Sequence, residues 1–369
     1  MTRTPLLGPA TTGQDAPARS GRSDPPPGEG TRARLRHAAR SLARALSGPG
    51  PWKRGLVLAG LALALGSLLL WHARIIDRGG LGSLVETFLP WSGLGVPLLL
   101  AAALWRRSAS AVLALLLPAV VWTSLFGGLL GDKAHARGDL TVASHNVAAE
   151  NPDPARTARG LAASGVDVLA LEEITPRARG TYEKVLAKAY PHHAVLGTVG
   201  LWSRLPLSGV RPVDIATDVG PLGDAKPEAA KLPDNRALRA TVTTRRGPLA
   251  VYVAHLGSVR VSPGTGFATG TRDRNARALA EAVAAERNRR LVLLGDLNGT
   301  VDDRALAGLT SRLTSVQEKA GDGFGFTWPA SFPVARIDQI LVRGVRPASA
   351  WLLPGTGSDH LPVAAGVGW

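Results

Sequence analysis

Residues 290–298 read RLVLLGDLN, in which four large apolar residues, Leu291 to Leu294, run into Gly295 and then into a carboxylate and an amide two positions apart. A short apolar run closed by Gly and Asp predicts a strand buried on both faces, with Asp296 and Asn298 emerging at its end. Working outward, the same pattern recurs at DLTVASHNV (139–147), VDVLALEEI (166–174), RALRATVTT (236–244), LAVYVAHL (249–256) and RIDQILV (336–342). Helical spacing fills the intervals 154–164, 176–189 and 271–289, whereas 214–233, rich in Gly, Pro and Asp, predicts a loop. Residues 139–369 therefore read as an α/β domain with no internal repeat.

Polar residues recur where these strands end: Asn146, Glu172 and Glu173, His255, Asp296, Asn298, and the triplet Ser358, Asp359, His360. Taken singly, an Asp or Asn after a strand is usually a turn or cap residue. Their repeated relation to strands favours a shared site at one rim of a sheet. Asp338 stands inside an apolar run, where an unpaired carboxylate would be costly. The inventory of Glu173, Asp296, Asp338, Asp359, Asn146 and Asn298 offers hard oxygen ligands suited to Mg²⁺ or Mn²⁺. His255 and His360 could hold phosphate oxygens or move protons. The chain has no Cys, which excludes disulfides, thiolate zinc sites and cysteine nucleophiles. No GxSxG, Walker A, HExxH or GxGxxG pattern occurs in a suitable context, so metal-assisted phosphoester hydrolysis is the chemistry that remains.

In chain order, SHNV, LEEI, VAHL, GDLN (295–298), RIDQILV and SDHLPV (358–363) resemble the endonuclease/exonuclease/phosphatase superfamily. The resemblance runs from about Leu140 to Trp369 and includes GLWSRLPL (200–207) and Thr327–Trp328. It implies a four-layer α/β sandwich, two mixed β-sheets flanked by helices. It further implies that Glu173 binds the metal, with Asn146 and Asp359 assisting. Asp296 would orient or deprotonate water, and Asn298 would hold a phosphate oxygen. His360, oriented by Asp338, would contact the scissile phosphate, with His255 as the second phosphate-contacting histidine. Glu172 departs from the family pattern, which usually has Gln there. Asn275 and Arg277 stand where relatives often carry Arg and Gln, so a structural role there is at least as well supported.

The N-terminal third has a different character. Residues 1–30 are Pro-, Gly- and Ser-rich and predict disorder. Residues 31–46 fit a basic amphipathic helix on an anionic membrane surface, or equally a solvated basic tail. Three charge-free apolar stretches follow at 55–71, 88–105 and 108–130, each near the ~20 residues that cross hydrocarbon. Trp71, Trp91 and Trp105 stand at their ends as interfacial anchors. The sequence carries 43 Lys and Arg against 28 Asp and Glu, a net +15. Of this, +7 belongs to residues 1–54 and only +6 to residues 131–369, so a nucleic-acid partner draws little support from charge. The basic tail and the Arg106–Arg107 turn belong inside by the Lys/Arg rule, and the neutral loop 72–87 outside. Three transmembrane helices starting inside deliver the domain at 139–369 to the extracytoplasmic face of the cell membrane.

The leading expectation is a membrane-anchored, Mg²⁺-dependent hydrolase of a lipid-linked phosphate or pyrophosphate, with membrane lipids as its partners and no protein partner. Its layout is similar to that of membrane-anchored actinobacterial members of the superfamily, including teicoplanin-resistance proteins. One alternative is an extracellular nuclease, which needs a basic groove beside the site. The Arg candidates for that groove are Arg272, Arg274 and Arg277, then Arg287, Arg289 and Arg290, then Arg245 and Arg246. Another is a non-catalytic membrane binding protein that keeps the fold.

Overall fold

The apolar runs become strands and further strands join them: β1 (Leu140–Asn146), β2 (Val168–Glu172), β3 (His192–Leu196), β4 (Val199–Ser203), β5 (Leu207–Pro212), β6 (Ala237–Thr244) and β7 (Gly247–Ala254). The series continues with β8 (Arg260–Ser262), β9 (Gly266–Ala268), β10 (Leu291–Asp296), β11 (Thr314–Ser315), β12 (Asp338–Arg343), β13 (Arg346–Leu352) and β14 (Val363–Gly368). These come from a computed structural model that describes residues 36, 37, 40, 49–134, 138–215, 235–262 and 266–369. The expected disordered stretch 1–30, most of the basic helix 31–46 and most of the loop 214–233 lie outside the described residues.

Two six-stranded sheets form, in the orders β13-β14-β1-β2-β4-β3 and β11-β12-β10-β7-β6-β5. Both are mixed. β1 is parallel to β2 and antiparallel to β14, and β10 is parallel to β7 and antiparallel to β12. Side chains alternate across each strand, so β10 sends Val292 and Leu294 into the core between the sheets and Leu291 and Leu293 to the outer face. That outer face packs on Leu279 and Val283 of a helix at Gly270–Ala284. Over the other sheet, Leu161 and Tyr182 come from helices Pro154–Ala163 and Pro176–Leu186. The four layers are thus helix, sheet, sheet, helix, and strands covered on both faces explain why the sequence reads as continuous apolar runs. Asp153 and Thr175 cap the latter two helices by accepting from the Arg156 and Ala178 amides, with Pro at the first helical position of each.

Ahead of this sandwich, three helical stretches, Leu56–Arg74, Arg78–Trp105 and Ala109–Leu129, are long and apolar enough to cross a membrane. They contain α1 (Leu56–Trp71), α2 (Leu81–Phe88), α3 (Gly95–Trp105), α4 (Ala109–Ala114) and α5 (Leu116–Phe126). Pro118 has no N–H to offer the Ala114 carbonyl, and the last stretch breaks at Leu115. Small residues Ala59, Ala62, Ala103 and Ala111 let these helices approach closely.

The segment 72–87, which the sequence suggests is a plain loop, is largely helical and is fastened to the sandwich. Glu86 of α2, 1% exposed, accepts from Arg304 Nε and Nη2 at 3.0 and 2.8 Å and from the Arg304 amide at 2.9 Å. Arg304 also donates to the Ile75 and His72 carbonyls at 2.6 and 3.0 Å. At the opposite end of the helical bundle, Gly55 packs directly against Ser108, which follows Arg106 and Arg107.

Candidate active site

Strand direction gathers the polar residues at one rim. Asn146, Glu173, His255 and Asp296 stand at or just beyond the C-terminal ends of β1, β2, β7 and β10. Antiparallel partners contribute their starts to the same rim, because Asp338 pairs with Asp296, Ala237 with Ala254, and Val363 with Ser144. Asp338, Arg236 and His360 arrive by that route.

Asp296 is the centre of the arrangement and is 1% exposed. Its Oδ2 accepts from Asn146 Nδ2 at 3.0 Å, a bond that ties one sheet to the other. The same oxygen lies 3.7 Å from His255 Nε2 and 3.8 Å from His360 Nε2. Oδ1 accepts the Asn298 amide at 2.9 Å. Both hydrogens of the Asn298 side-chain amide are engaged, with the Leu256 carbonyl at 3.1 Å and Asp296 Oδ2 at 3.2 Å. Asn298 therefore positions Asp296, and holding a phosphate oxygen requires one of these bonds to be exchanged.

His360 Nδ1 lies 2.9 Å from Asp338 Oδ2, while Asp338 Oδ1 has no hydrogen-bond partner among the described residues. Burial alone would lower the His360 imidazolium, but the carboxylates of Asp338, Asp296 and Asp359 outweigh it and hold the ring cationic. His255 goes the other way: burial first, then the Arg236 and His360 charges, push it well below the usual histidine range. Its ring is neutral, so the 3.5 Å approach of His255 Nε2 to Glu173 Oε1 is not an ion pair. Burial raises Asp296, against the lowering influence of His360.

Glu173 Oε2 accepts the Ala149 amide at 2.9 Å, leaving Oε1 facing His255. Asn146 Oδ1 accepts the Ala148 amide at 3.0 Å and keeps a second lone pair. The neighbouring Glu172 points into the interior, where Ser144 donates to Oε1 at 2.8 Å and Oε2 finds no partner among the described residues. Burial raises it well above the carboxylate range, so it is a neutral acid able to replace an amide side chain. Asp359 is exposed, and its Oδ2 accepts from Trp328 Nε1 at 3.3 Å. It stands on the rim rather than within the tight group.

That tight group is Asp296, Asp338 and His360, whose ligand atoms lie within 4.8 Å of one another. With His360 Nδ1 committed to Asp338, the group is an acid–imidazole–acid arrangement rather than a chelate. Glu173 Oε1, which approaches His255, and Asn146 Oδ1, whose amide bonds to Asp296, are further oxygen donors at this rim, and oxygen donors of this kind suit a hard cation.

Backbone strain is concentrated here. Among the described residues four non-glycines have positive φ, and three of them are Ala148 (60°), Glu173 (60°) and Asn298 (47°). Each costs about 1–2 kcal/mol and is held by the surrounding bonds. Gly295 has φ 150°, and a Cβ there would lie 1.8 Å from the Ala254 carbonyl oxygen, so the sequence before Asp296 admits only glycine.

Arg236 is the residue that the sequence reading missed. Its Nη2 lies 2.9 and 2.8 Å from the two ring nitrogens of His255, and it donates to the His255 and Leu256 carbonyls at 3.1 Å each. The available signal was its place immediately before β6, antiparallel to β7. Asn275 is structural, accepting the Gly257 amide at 2.9 Å and donating to the Ile215 carbonyl, whereas Arg277 is exposed.

The family model described as Endonuclease/Exonuclease/phosphatase family matches residues 143–360. No curated protein matches the chain. Among solved structures, a humanized D. rerio TDP2 bearing 14 mutations is 21% identical, covering 62% of this chain and 98% of that one at TM-score 0.49. Sphingomyelinase C from Streptomyces griseocarneus is 19% identical over 62% of this chain and 98% of that one, at TM-score 0.45. A functionally unknown conserved protein from Enterococcus faecalis V583 is 15% identical over 62% and 99%, at TM-score 0.47.

Proposed function

This chain belongs to the endonuclease/exonuclease/phosphatase family, and from that premise we propose that it is a membrane-anchored, extracytoplasmic hydrolase of a lipid-linked phosphate or pyrophosphate. The observation that carries the choice of substrate is the fastening of the catalytic domain to the ends of the apolar helices by Glu86 and Arg304. Such a joint keeps the site at the lipid surface. The Arg106–Arg107 turn lies at the other end of the bundle, as expected if that end is cytoplasmic. In this reading the layout is similar to that of membrane-anchored members such as the teicoplanin-resistance proteins.

In this reading Mg²⁺ or Mn²⁺ would be held by Glu173 and Asn146, with Asp359 on its outer side, and when bound it neutralises charge on the phosphoryl oxygens. Asp296 orients the attacking water and accepts its proton, its affinity for that proton increased by burial. Cationic His360, braced by Asp338, hydrogen-bonds a phosphoryl oxygen. Neutral His255, held by Arg236, faces the leaving oxygen, and Asn298 fixes Asp296.

The nuclease reading is weakened by the placement of its arginines. Arg272 is 1% exposed. Arg245, Arg246, Arg289 and Arg290 lie at the opposite strand ends from His255 and Asp296. The test is hydrolysis by the full chain in proteoliposomes, with Mg²⁺ or EDTA, of polyprenyl pyrophosphate, phospholipid and plasmid DNA. Asp296→Asn and His360→Ala serve as controls. Metal-dependent release from the lipid phosphate is expected, abolished by both substitutions. Rapid DNA cleavage without lipid-phosphate release would overturn the substrate assignment. A reporter fused after Trp369 and active only in the cytoplasm would overturn the topology.

A further inference from the structure

One segment joins the helical bundle to the rim of the site. At its start, Phe324 packs among the ends of the apolar helices, with its ring centroid 6.3 Å from those of Trp122 and Phe126. Phe326 stacks on Phe324 at 5.2 Å and on Trp91 at 5.6 Å. Trp91 then donates its indole N–H to the Val334 carbonyl at 2.7 Å. Between these two attachments the chain forms a closed loop. The Thr327 and Trp328 amides bond to the Ala335 carbonyl at 2.8 and 3.0 Å, and the Val334 amide returns to the Trp328 carbonyl at 2.9 Å.

The loop is equally tied to the catalytic rim. The Leu361 amide donates to the Thr327 carbonyl at 2.9 Å, and the Ala330 amide to the Asp359 carbonyl at 2.7 Å, on either side of His360. Its apolar side chains nevertheless face outward: Phe332, near the tip, is 70% exposed and Trp328 is 38% exposed. Two exposed aromatic rings on one hydrogen-bonded loop that adjoins the apolar helices offer the kind of apolar surface that marks membrane contact. Phe332 is two residues from Val334, a reach of at most about 7 Å, and Val334 is held by Trp91. That residue lies near the start of the charge-free run 88–105, and its neighbour Pro90 accepts from the Trp122 indole at 2.9 Å, a position where indoles anchor to headgroups.

We infer that this loop docks on the outer leaflet of the membrane in which the chain is anchored, with Phe332 inserted among the lipids. Resting on the lipid-phosphate reading above, the inference adds how the substrate arrives. The mouth of the site, bordered by Trp328, Asp359 and His360, is presented to headgroups, so a phosphoester lipid enters by lateral diffusion with its apolar part still in the bilayer. A bilayer is the occupant argued for because the loop is continuous with the packing on the apolar helices.

The absence of cysteine makes a direct test available. Phe332→Cys and Arg245→Cys, each carrying a nitrobenzoxadiazole label, are reconstituted as full chains in vesicles containing doxyl-labelled phosphatidylcholine. Arg245 lies in the turn before β7, at the far end of that strand from His255. Quenching several-fold stronger at position 332 than at 245 is expected. Equal quenching at the two positions would overturn the docking, whatever the substrate. In parallel, Phe332→Asp is expected to lower turnover of a vesicle-borne phosphoester lipid about tenfold or more, from the lost apolar burial. Strong quenching at 332 from a wild-type background that cleaves DNA and no lipid would uphold the docking and refute the lipid-phosphate reading, so the two can fail separately.

Discussion

Replacing Arg304 with Ala in the full chain should loosen the α2 segment on the α/β domain, where Ser83 still bonds to Asp303 and Arg272, while leaving both parts folded. The size of the effect follows from what the substitution leaves behind. Glu86, 1% exposed, loses three contacts from Arg304 Nε and Nη2 at 2.8 to 3.1 Å. Among the described residues it keeps the residue 304 amide at 2.9 Å and the distant His72 Nδ1 at 3.7 Å. The Ile75 and His72 carbonyls lose a cationic donor as well. Breaking a buried ion pair by removing one partner costs about 3–5 kcal/mol. The Arg304 side chain is itself 26% exposed, so water fills part of the gap and the expected cost is nearer 2–3 kcal/mol. Hydrogen–deuterium exchange of the detergent-solubilised protein should then speed up about 30- to 150-fold in peptides covering 72–88 and 298–306. The strands of both sheets should keep their protection. Adding Glu86→Gln should recover part of the loss, because the stranded charge is removed. Unchanged exchange at 72–88, or a uniform rise across both sheets, would refute the view that this pair is a main fastening beside the Ser83 bonds to Asp303 and Arg272.

Asp296→Asn should lower turnover by about 10²-fold or more with little loss of thermal stability, since general-base loss is large and the substitution relieves a crowd of buried carboxylates; steady-state kinetics beside a melting curve decides it. Gly295→Ala should cost more than about 3 kcal/mol or prevent folding, because its Cβ meets the Ala254 carbonyl; a normal melting temperature would contradict the steric argument. Glu172→Gln should stabilise the protein, with a sign fixed by linkage. Glu172 is protonated in the fold but ionises on unfolding above its ordinary value of 4.5, so its burden grows as pH rises. The melting-temperature gain of the Gln variant should therefore increase from pH 5 to pH 8, and a gain that stays flat over that range would show Glu172 to be charged when folded.

Much of this molecule is legible in its sequence. The strands at 140–146, 168–172, 237–244, 247–254, 291–296 and 338–343 fall within a few residues of the apolar runs, since burial on both faces leaves no other pattern. β3, β5 and β13 were not legible, because their solvent-facing residues break the apolar run. Among site residues, those that end a strand announced themselves: Asn146, Glu173, His255 and Asp296. Asp338 and His360 also reach the rim through antiparallel partners but were marked by RIDQILV and SDHLPV, whereas Arg236 sits before a strand with no such motif, and its pairing is not written in either strand alone.

The amino-acid sequence by itself determined the alternating α/β domain, the three apolar spans and the set of carboxylates, amides and histidines available for chemistry. These follow from local properties: hydrophobic period, run length and residue type. Only the tertiary structure decided that His360 is cationic and His255 neutral, that Glu172 is a protonated acid, and that segment 72–87 clamps the domain through Glu86. Those outcomes depend on burial and on partners as far apart in the chain as residues 86 and 304, and a charge has no fixed state until the fold supplies its neighbours.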